Sequence, residues 1–385
     1  MRKISGWFGL LTAVAWVGSV SPAGAQTAAI TVNGFVDTYY SYNFTNSDNG
    51  ANGTGNNASL YFDNAKDDSF TLGLAEISAA ATQGQVGLHL VLADSAGNAL
   101  GLSNPGIDLW QAWVSYSPEE WTFSAGRFAT WMGFEAVESQ NNWNYTHSLF
   151  FVYGIPHWHT GLGVAYAPIR QVRVAGYVVD GWNNISSFSV GPGAGKTYGL
   201  DFGFTPDSTW GFNLKAVVGP SAQDMGTNGS EAKFVGEIIL RYNASDKLSF
   251  VVDAGYVGQV IPGAKTDALF NRGKDAWFTT LYGRYRFESD WAVALRLEDV
   301  DEDQDLLGFY SGINSLGTAT DVEAREATLT IEHNFSPNLL VRLEPRLDIA
   351  LSGGSSYSSS TAPQGPFAGG NGTQFTTTAS AVVSF

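Results

Sequence analysis

The chain has 385 residues, no cysteine, and 20 Lys plus Arg against 36 Asp plus Glu, a net charge of −16. That balance argues against nucleic acid or an anionic lipid surface as partner, and the missing cysteines exclude a disulfide scaffold. Aromatics at 14% and 45 glycines suit close-packed strands but equally a soluble sandwich or solenoid, so the pattern along the chain decides.

Residues 1–25 carry a basic start (Arg2, Lys3), an apolar run from Trp7 to Val20 and a small-residue ending, Ala23-Gly24-Ala25. These are the marks of a secretory signal peptide, which leaves residues 26–385 as the mature domain. No later apolar run reaches the roughly 18–20 residues of a membrane helix. Further membrane contact must therefore be through strands.

From Tyr116 onward an aromatic, a tight polar turn and commonly a Trp recur together, as in Tyr116 to Trp121, Phe204 to Trp210 and Phe287 to Trp291. Pro, Asp, Asn and Ser in these stretches are turn formers, because they fix φ or cap the backbone. Long Gly/Asn/Ser/Asp-rich stretches separate the next pairs. Short turns ringed by aromatics at one end and long loops at the other are the rhythm of a transmembrane barrel. The reading is all-β: an antiparallel transmembrane β-barrel of about sixteen strands with short periplasmic turns and long extracellular loops. Strands are expected near 30–44, 67–81, 85–94, 106–117, 121–132, 158–167, 170–181, 196–205, 209–219, 231–243, 247–260, 275–287, 290–300, 322–335, 338–351 and 374–385. Two scan poorly: residues 67–81 mix phases, and Pro345 is expected to mark a bulge.

The closing stretch shows the logic most clearly. Phe375, Thr377, Ala379, Ala381, Val383 and Phe385 share one face, and Thr376, Thr378, Ser380, Val382 and Ser384 share the other. A lipid-facing strand cannot leave an edge unpaired, since each orphan backbone group costs several kcal/mol. Its free edge is expected to meet the first strand, with Phe385 at the periplasmic end as the assembly signal.

The same alternation points Lys215, Glu237, Arg241, Arg284, Arg286, Arg296, Arg342, Glu344 and Arg346 inward, along with Asp37, His89, Asp201, Lys233, Asp253, Glu298 and Asp348. A Lys or Arg on the lipid face would cost about 2–4 kcal/mol at mid-depth. Arg284, Arg286, Arg296, Arg342 and Arg346 are read as a basic wall that Glu135 and Glu138 oppose across a constriction. Arg342, Glu344, Arg346 and Asp348 fit wall-stiffening ion pairs equally well. Loop 133–157 is too rich in aromatics (Trp143, Tyr145, Phe150, Phe151, Tyr153) for a freely solvated connection, and is expected to fold into the lumen, with packing on the barrel rim or a neighbouring subunit as the alternative.

Three stretches carry a family resemblance. Tyr39, Tyr40 and Tyr42 to Phe44 open it; Gly126, Arg127, Phe128, Thr130, Gly133 and Glu135 continue it. Asn144, Tyr145, Thr146, Ser148, Leu149 and Phe151 then lead into Pro156, His159, Thr160 and Gly161. The pattern resembles the OmpL-like β-barrel porins. Where that family commonly has a basic residue inside the hydroxyl-bearing run, this chain has His147. The resemblance implies a channel and brings no catalytic residues with it.

Asp299, Asp301, Asp303 and Asp305 begin like a calcium loop, but Gln304 and Tyr310 stand where the turn glycine and bidentate Glu belong, so no metal site is expected. Neither G-x-S-x-G, H-E-x-x-H nor a phosphate loop occurs, so neither enzyme activity nor a cofactor is expected. The functional expectation is an outer-membrane porin passing small hydrophilic solutes, with a non-conducting structural or adhesive barrel as the alternative. Expected partners are outer-membrane lipid, lipopolysaccharide and the barrel assembly machinery; homotrimer and monomer both stay open. The acidic loops favour a weak cation bias at the outer mouth.

Overall fold

The computed structural model describes residues 29–45, 66–95, 106–184, 195–219, 232–260, 270–303, 322–351 and 373–385. The signal-peptide reading and Gln304, Asp305 and Tyr310 lie outside them. Sixteen strands form a closed antiparallel barrel in which each pairs with its chain neighbours and β1 pairs with β16. In order they are β1 Ala29–Asn43, β2 Ser69–Gln83, β3 Val86–Ser95, β4 Asp108–Tyr116, β5 Trp121–Ala129, β6 Trp158–Ile169, β7 Val172–Val179 and β8 Thr197–Phe204. The second half comprises β9 Trp210–Gly219, β10 Ala232–Asn243, β11 Leu248–Val260, β12 Phe270–Arg286, β13 Trp291–Glu302, β14 Val322–Ser336, β15 Leu339–Ala350 and β16 Thr373–Ser384.

Closure follows from the pairing that the alternation requires. Phe35 to Asn43 run antiparallel to Ser384 to Thr376. Phe385 extends that seam: its amide donates to Gly34 O at 3.0 Å and its carbonyl accepts from Gly34 N at 3.2 Å. A Cβ on Gly34 would sit 2.5 Å from the Phe385 ring, so the aromatic packs where only glycine leaves room. Thr376, Thr378 and Ser380 are buried inside, while Phe375 and Val383 face outward and are exposed.

The outer face is apolar, and exposed aromatics gather at the short-turn end. Tyr116, Trp121, Tyr166, Trp210, Tyr242, Tyr285 and Phe335 belong to this girdle, with Trp121 stacked on Tyr166 at 4.4 Å and Trp210 against Tyr242 at 4.4 Å. Rings that are apolar in body and polar at the tip suit a membrane boundary.

Two local details correct the sequence reading. Pro345 makes no bulge: Glu344, Pro345 and Arg346 pair in unbroken register with Thr378, Thr377 and Thr376. On the β14 side the register is also kept, and only the ladder pairs at Glu344 and Pro345 are missing. A proline that lacks one N–H can sit in a ladder where its neighbours hold the register. The mixed phase of β2 does have a bulge behind it, because Asp37 pairs with Leu74 while Thr38 pairs with Leu72, leaving Gly73 as the extra residue.

The wall is uneven in height. Strands β4, β5, β7 and β8 have only 9, 9, 8 and 8 residues, whereas β1, β2, β12 and β14 have 15, 15, 17 and 15.

Candidate pore and inward loop

A sixteen-stranded barrel is wide enough to leave a watery lumen unless something fills it. The connection between β5 and β6 supplies that filling. From Asn142 to Phe151 every residue is buried, and its backbone groups bond to inward side chains of the wall rather than to water. An irregular segment inside a barrel must satisfy its amides and carbonyls somehow, and here charged wall residues do it.

The anchors run along the segment in order. Gly133 N donates to Glu237 Oε2 at 2.9 Å, Phe134 N to Asp253 Oδ2 at 3.3 Å, and Lys215 Nζ to Gly133 O at 2.6 Å. Ser139 Oγ donates to Asp37 Oδ2 at 2.8 Å, and Arg342 reaches the carbonyls of Ser139 and Asn142, both at 2.7 Å. Glu344 accepts from the amides of Tyr145 and Thr146 and from the hydroxyls of Thr146 and Thr330. Arg346 Nη1 donates to His147 O at 2.8 Å. Glu298 takes the amides of Leu149 and Phe150 at 2.6 and 2.8 Å. A carboxylate that accepts two adjacent amides holds a turn of backbone as a helix cap does, with the strength of charge-assisted bonds.

Arg296 is the hub. It donates to Glu135 Oε1 at 2.8 Å, to Glu326 Oε2 at 2.9 Å and to Thr146 O, and is fully buried. The basic wall and Glu135 therefore do not face each other across a gap; they are in direct contact. Glu138 goes elsewhere. No arginine pairs with it among the described residues, and burial raises its carboxyl above the usual range. Burial also pushes Glu135 up, but Arg296 and then His147 outweigh it and hold that carboxyl below its ordinary value. His147 is lowered by burial, and His157 falls to about 4 for the same reason.

Apolar loop side chains are seated by inward glycines. The Phe150 ring occupies the place where Gly255 would carry a Cβ, at 2.1 Å, and the Trp131 ring does the same over Gly199 at 1.8 Å. Asn144 donates to Thr330 Oγ1 at 2.7 Å, and Tyr145 is packed against Tyr39 with ring centroids 6.1 Å apart.

The remaining cations sit nearer the short-turn end. Arg284 pairs with Glu332, and Arg241 donates to Asn213 Oδ1 at 2.8 Å with its guanidinium 5.5 Å from the Phe134 ring centroid. Arg286 is exposed and has no ion-pair partner among the described residues. Residues the sequence reading passed over include Glu326, Thr328, Thr330 and Glu332, four successive inward positions of β14. Their alternation with Ala327, Leu329 and Ile331 was the available signal.

Along the inner face of β3 to β7, His89, Trp113, Ser115, Ser124 and Tyr177 are only half-buried. His89 and Trp113 stack at 3.7 Å. Water reaches this side of the lumen.

The barrel is matched in both sequence and structure. The family described as "Putative beta-barrel porin-2, OmpL-like" matches residues 29–385. The chain belongs to that family. Its solved structural neighbours are porins as well. OmpT of Vibrio cholerae aligns at 12% identity and a TM-score of 0.57, covering 95% of this chain and 100% of that one. The outer-membrane channel DcaP of Acinetobacter baumannii aligns at 12% identity and 0.58, covering 96% and 100%. An anion-selective porin from Comamonas acidovorans aligns at 14% identity and 0.60, covering 93% and 100%. No curated protein sequence matches the chain. This porin is a channel protein of the outer membrane, and its family and fold are those of a channel rather than of an enzyme.

Proposed function

We propose that this porin passes small hydrophilic solutes by passive diffusion along the β3–β8 side of its lumen, with loop 133–157 setting the bore. The observation that carries the reading is the one-sided seating of the loop. It is bonded to side chains of β9 to β15 and β1, while polar and aromatic groups of the opposite wall stay within reach of water. Glu135, Asn144, Tyr145 and His147 then act as the loop's fastenings rather than as filter groups. After export and removal of residues 1–25, the barrel is inserted by the assembly machinery with Phe385 as its signal, among outer-membrane lipid and lipopolysaccharide. A homotrimer is the assembly we favour, by likeness to OmpT of Vibrio cholerae, one of whose structures is titled a trimer form and aligns at 10% identity and a TM-score of 0.59 over 94% of this chain and 100% of that chain.

Single-channel recording in planar bilayers tests the reading. The wild type should conduct, and deleting Gln140 to Phe150 should raise unit conductance in protein that still migrates as a folded, heat-modifiable species. A folded barrel that passes no current would instead be a non-conducting one displaying its loops.

A further inference from the structure

The short-turn half of the lumen has a charge pattern of its own. Arg173 lies one residue inside the end of β7, Arg241 two residues inside that of β10, and Arg284 and Arg286 at that of β12. The carboxylates near them are already engaged. Asp201 is paired with Arg173, and Glu332 with Arg284 and Arg342. Glu237 and Asp253, which lie within electrostatic range of Arg241, accept from the loop amides of Gly133 and Phe134. That leaves Arg241 with one neutral partner, the amide oxygen of Asn213 at 2.8 Å, and an aromatic face, Phe134, at 5.5 Å.

Arg241 is half-buried, and donor groups stand beside it. Its neighbour across the ladder is Gly211, and in the adjacent inward row Gly203 stands opposite Asn213. Neither carries a side chain, so the wall is recessed there. A Cβ on Gly203 would lie 3.1 Å from Asn213 Nδ2 and 4.0 Å from the Arg173 carbonyl oxygen, and one on Gly211 would lie 3.6 Å from Arg241 Cβ and 4.0 Å from Thr205 Oγ1. The recess is thus bordered by a guanidinium, an amide NH₂ and a hydroxyl. A guanidinium offers a planar fork of donors that matches carboxylate and phosphate oxygens.

We propose that this recess, centred on Arg241 with Asn213 and Thr205 and supported by the charge of Arg286, is a binding station for small oxyanions directly beneath the inward loop. It deepens the channel reading by naming the solute class: carboxylates and phosphate-type anions. Any cation bias of the acidic outer mouth is opposed at the inner end, where Arg241 meets the solute at contact range and the mouth acts only through screened solvent.

The test uses the full-length porin in planar bilayers under a KCl gradient, with inorganic phosphate added from the short-turn side. We expect an anion-side zero-current potential and concentration-dependent block of the chloride current by phosphate. Arg241→Gln should weaken that block about tenfold, as for loss of one charge-assisted contact. Arg241→Lys should retain part of it, and Arg170→Gln, in the exposed β6–β7 turn, should leave it unchanged. Calorimetric titration of the detergent-solubilised protein with phosphate reads the same site without needing conduction, so a channel that stays silent would defeat the diffusion reading while this measurement still decides the site. Cation selectivity without phosphate block, or equal phosphate affinity in wild type and folded Arg241→Gln, would overturn the proposal.

Discussion

The two sides of the lumen use the same barrel geometry for opposite ends. On β10 to β15 and β1 carboxylates, arginines and hydroxyls are interspersed with apolar inward side chains such as Val235, Ile239, Val251 and Phe278, and most of them have no solvent exposure because the loop lies on them. On β3 to β7 they include the half-buried His89, Trp113, Ser115, Ser124 and Tyr177, with water at hand and Arg173 paired with Asp201 at the short-turn edge. Charge in this porin therefore marks where the wall is covered, not where it is bare. The physical reason is that a buried irregular backbone needs strong acceptors and donors at fixed places, whereas a wet surface satisfies itself.

Removing the seam is the largest perturbation, since it breaks both walls together. Without Phe385 the paired contacts with Gly34 are lost, and the heat-modifiable, folded fraction in outer membranes should fall severalfold relative to wild type. Unchanged folding yield would show that the seam closes without the terminal ring. Next in size is the hub of the covered wall. Arg296→Ala strands Glu135 and Glu326 as buried, uncompensated carboxylates, and breaking such a pair costs about 3–5 kcal/mol. We expect a lower denaturation midpoint together with noisier, larger unit currents as the loop loosens; an unshifted midpoint would mean that the remaining anchors suffice.

Acid should loosen the same wall without mutation. The carboxyl of Glu135 is lower folded than unfolded, so its contribution to stability is complete above the unfolded carboxylate value of about 4.3 and disappears as the pH falls through the lower folded value. Stepping a reconstituted channel from pH 7 to pH 3 should increase open-channel noise, and a Glu135→Gln channel should show less of that change. The smallest effect belongs to the bare side. Ser124→Ala should move the denaturation midpoint by no more than about 0.5 kcal/mol in stability terms, while altering unit conductance slightly. A large loss of stability there would erase the contrast between the walls.

Much of this was legible in one dimension. All sixteen strands lie within a few residues of where the alternation places them, the longest discrepancy being β12, which starts at Phe270 rather than near 275. Parity also put Arg296, Arg342, Glu344 and Arg346 on the inner face, and the aromatics of residues 133–157 marked that loop as needing something to pack on. What did not follow was which side chain meets which. Glu344 and the Tyr145 amide, or Arg296 and Glu135, are separated by 199 and 161 residues, and only the closed barrel sets their heights against each other.

Side-chain alternation and the cost of unpaired backbone in lipid were enough to require a closed, even-stranded barrel whose polar face turns inward, because both act between near neighbours in the chain. Whether an inward charge would line the pore or fasten a loop was decided by the tertiary structure alone. Arg296 ended at Glu135 and Arg241 at Asn213 because the stagger of the strands carries the loop across one wall and leaves the other open to water.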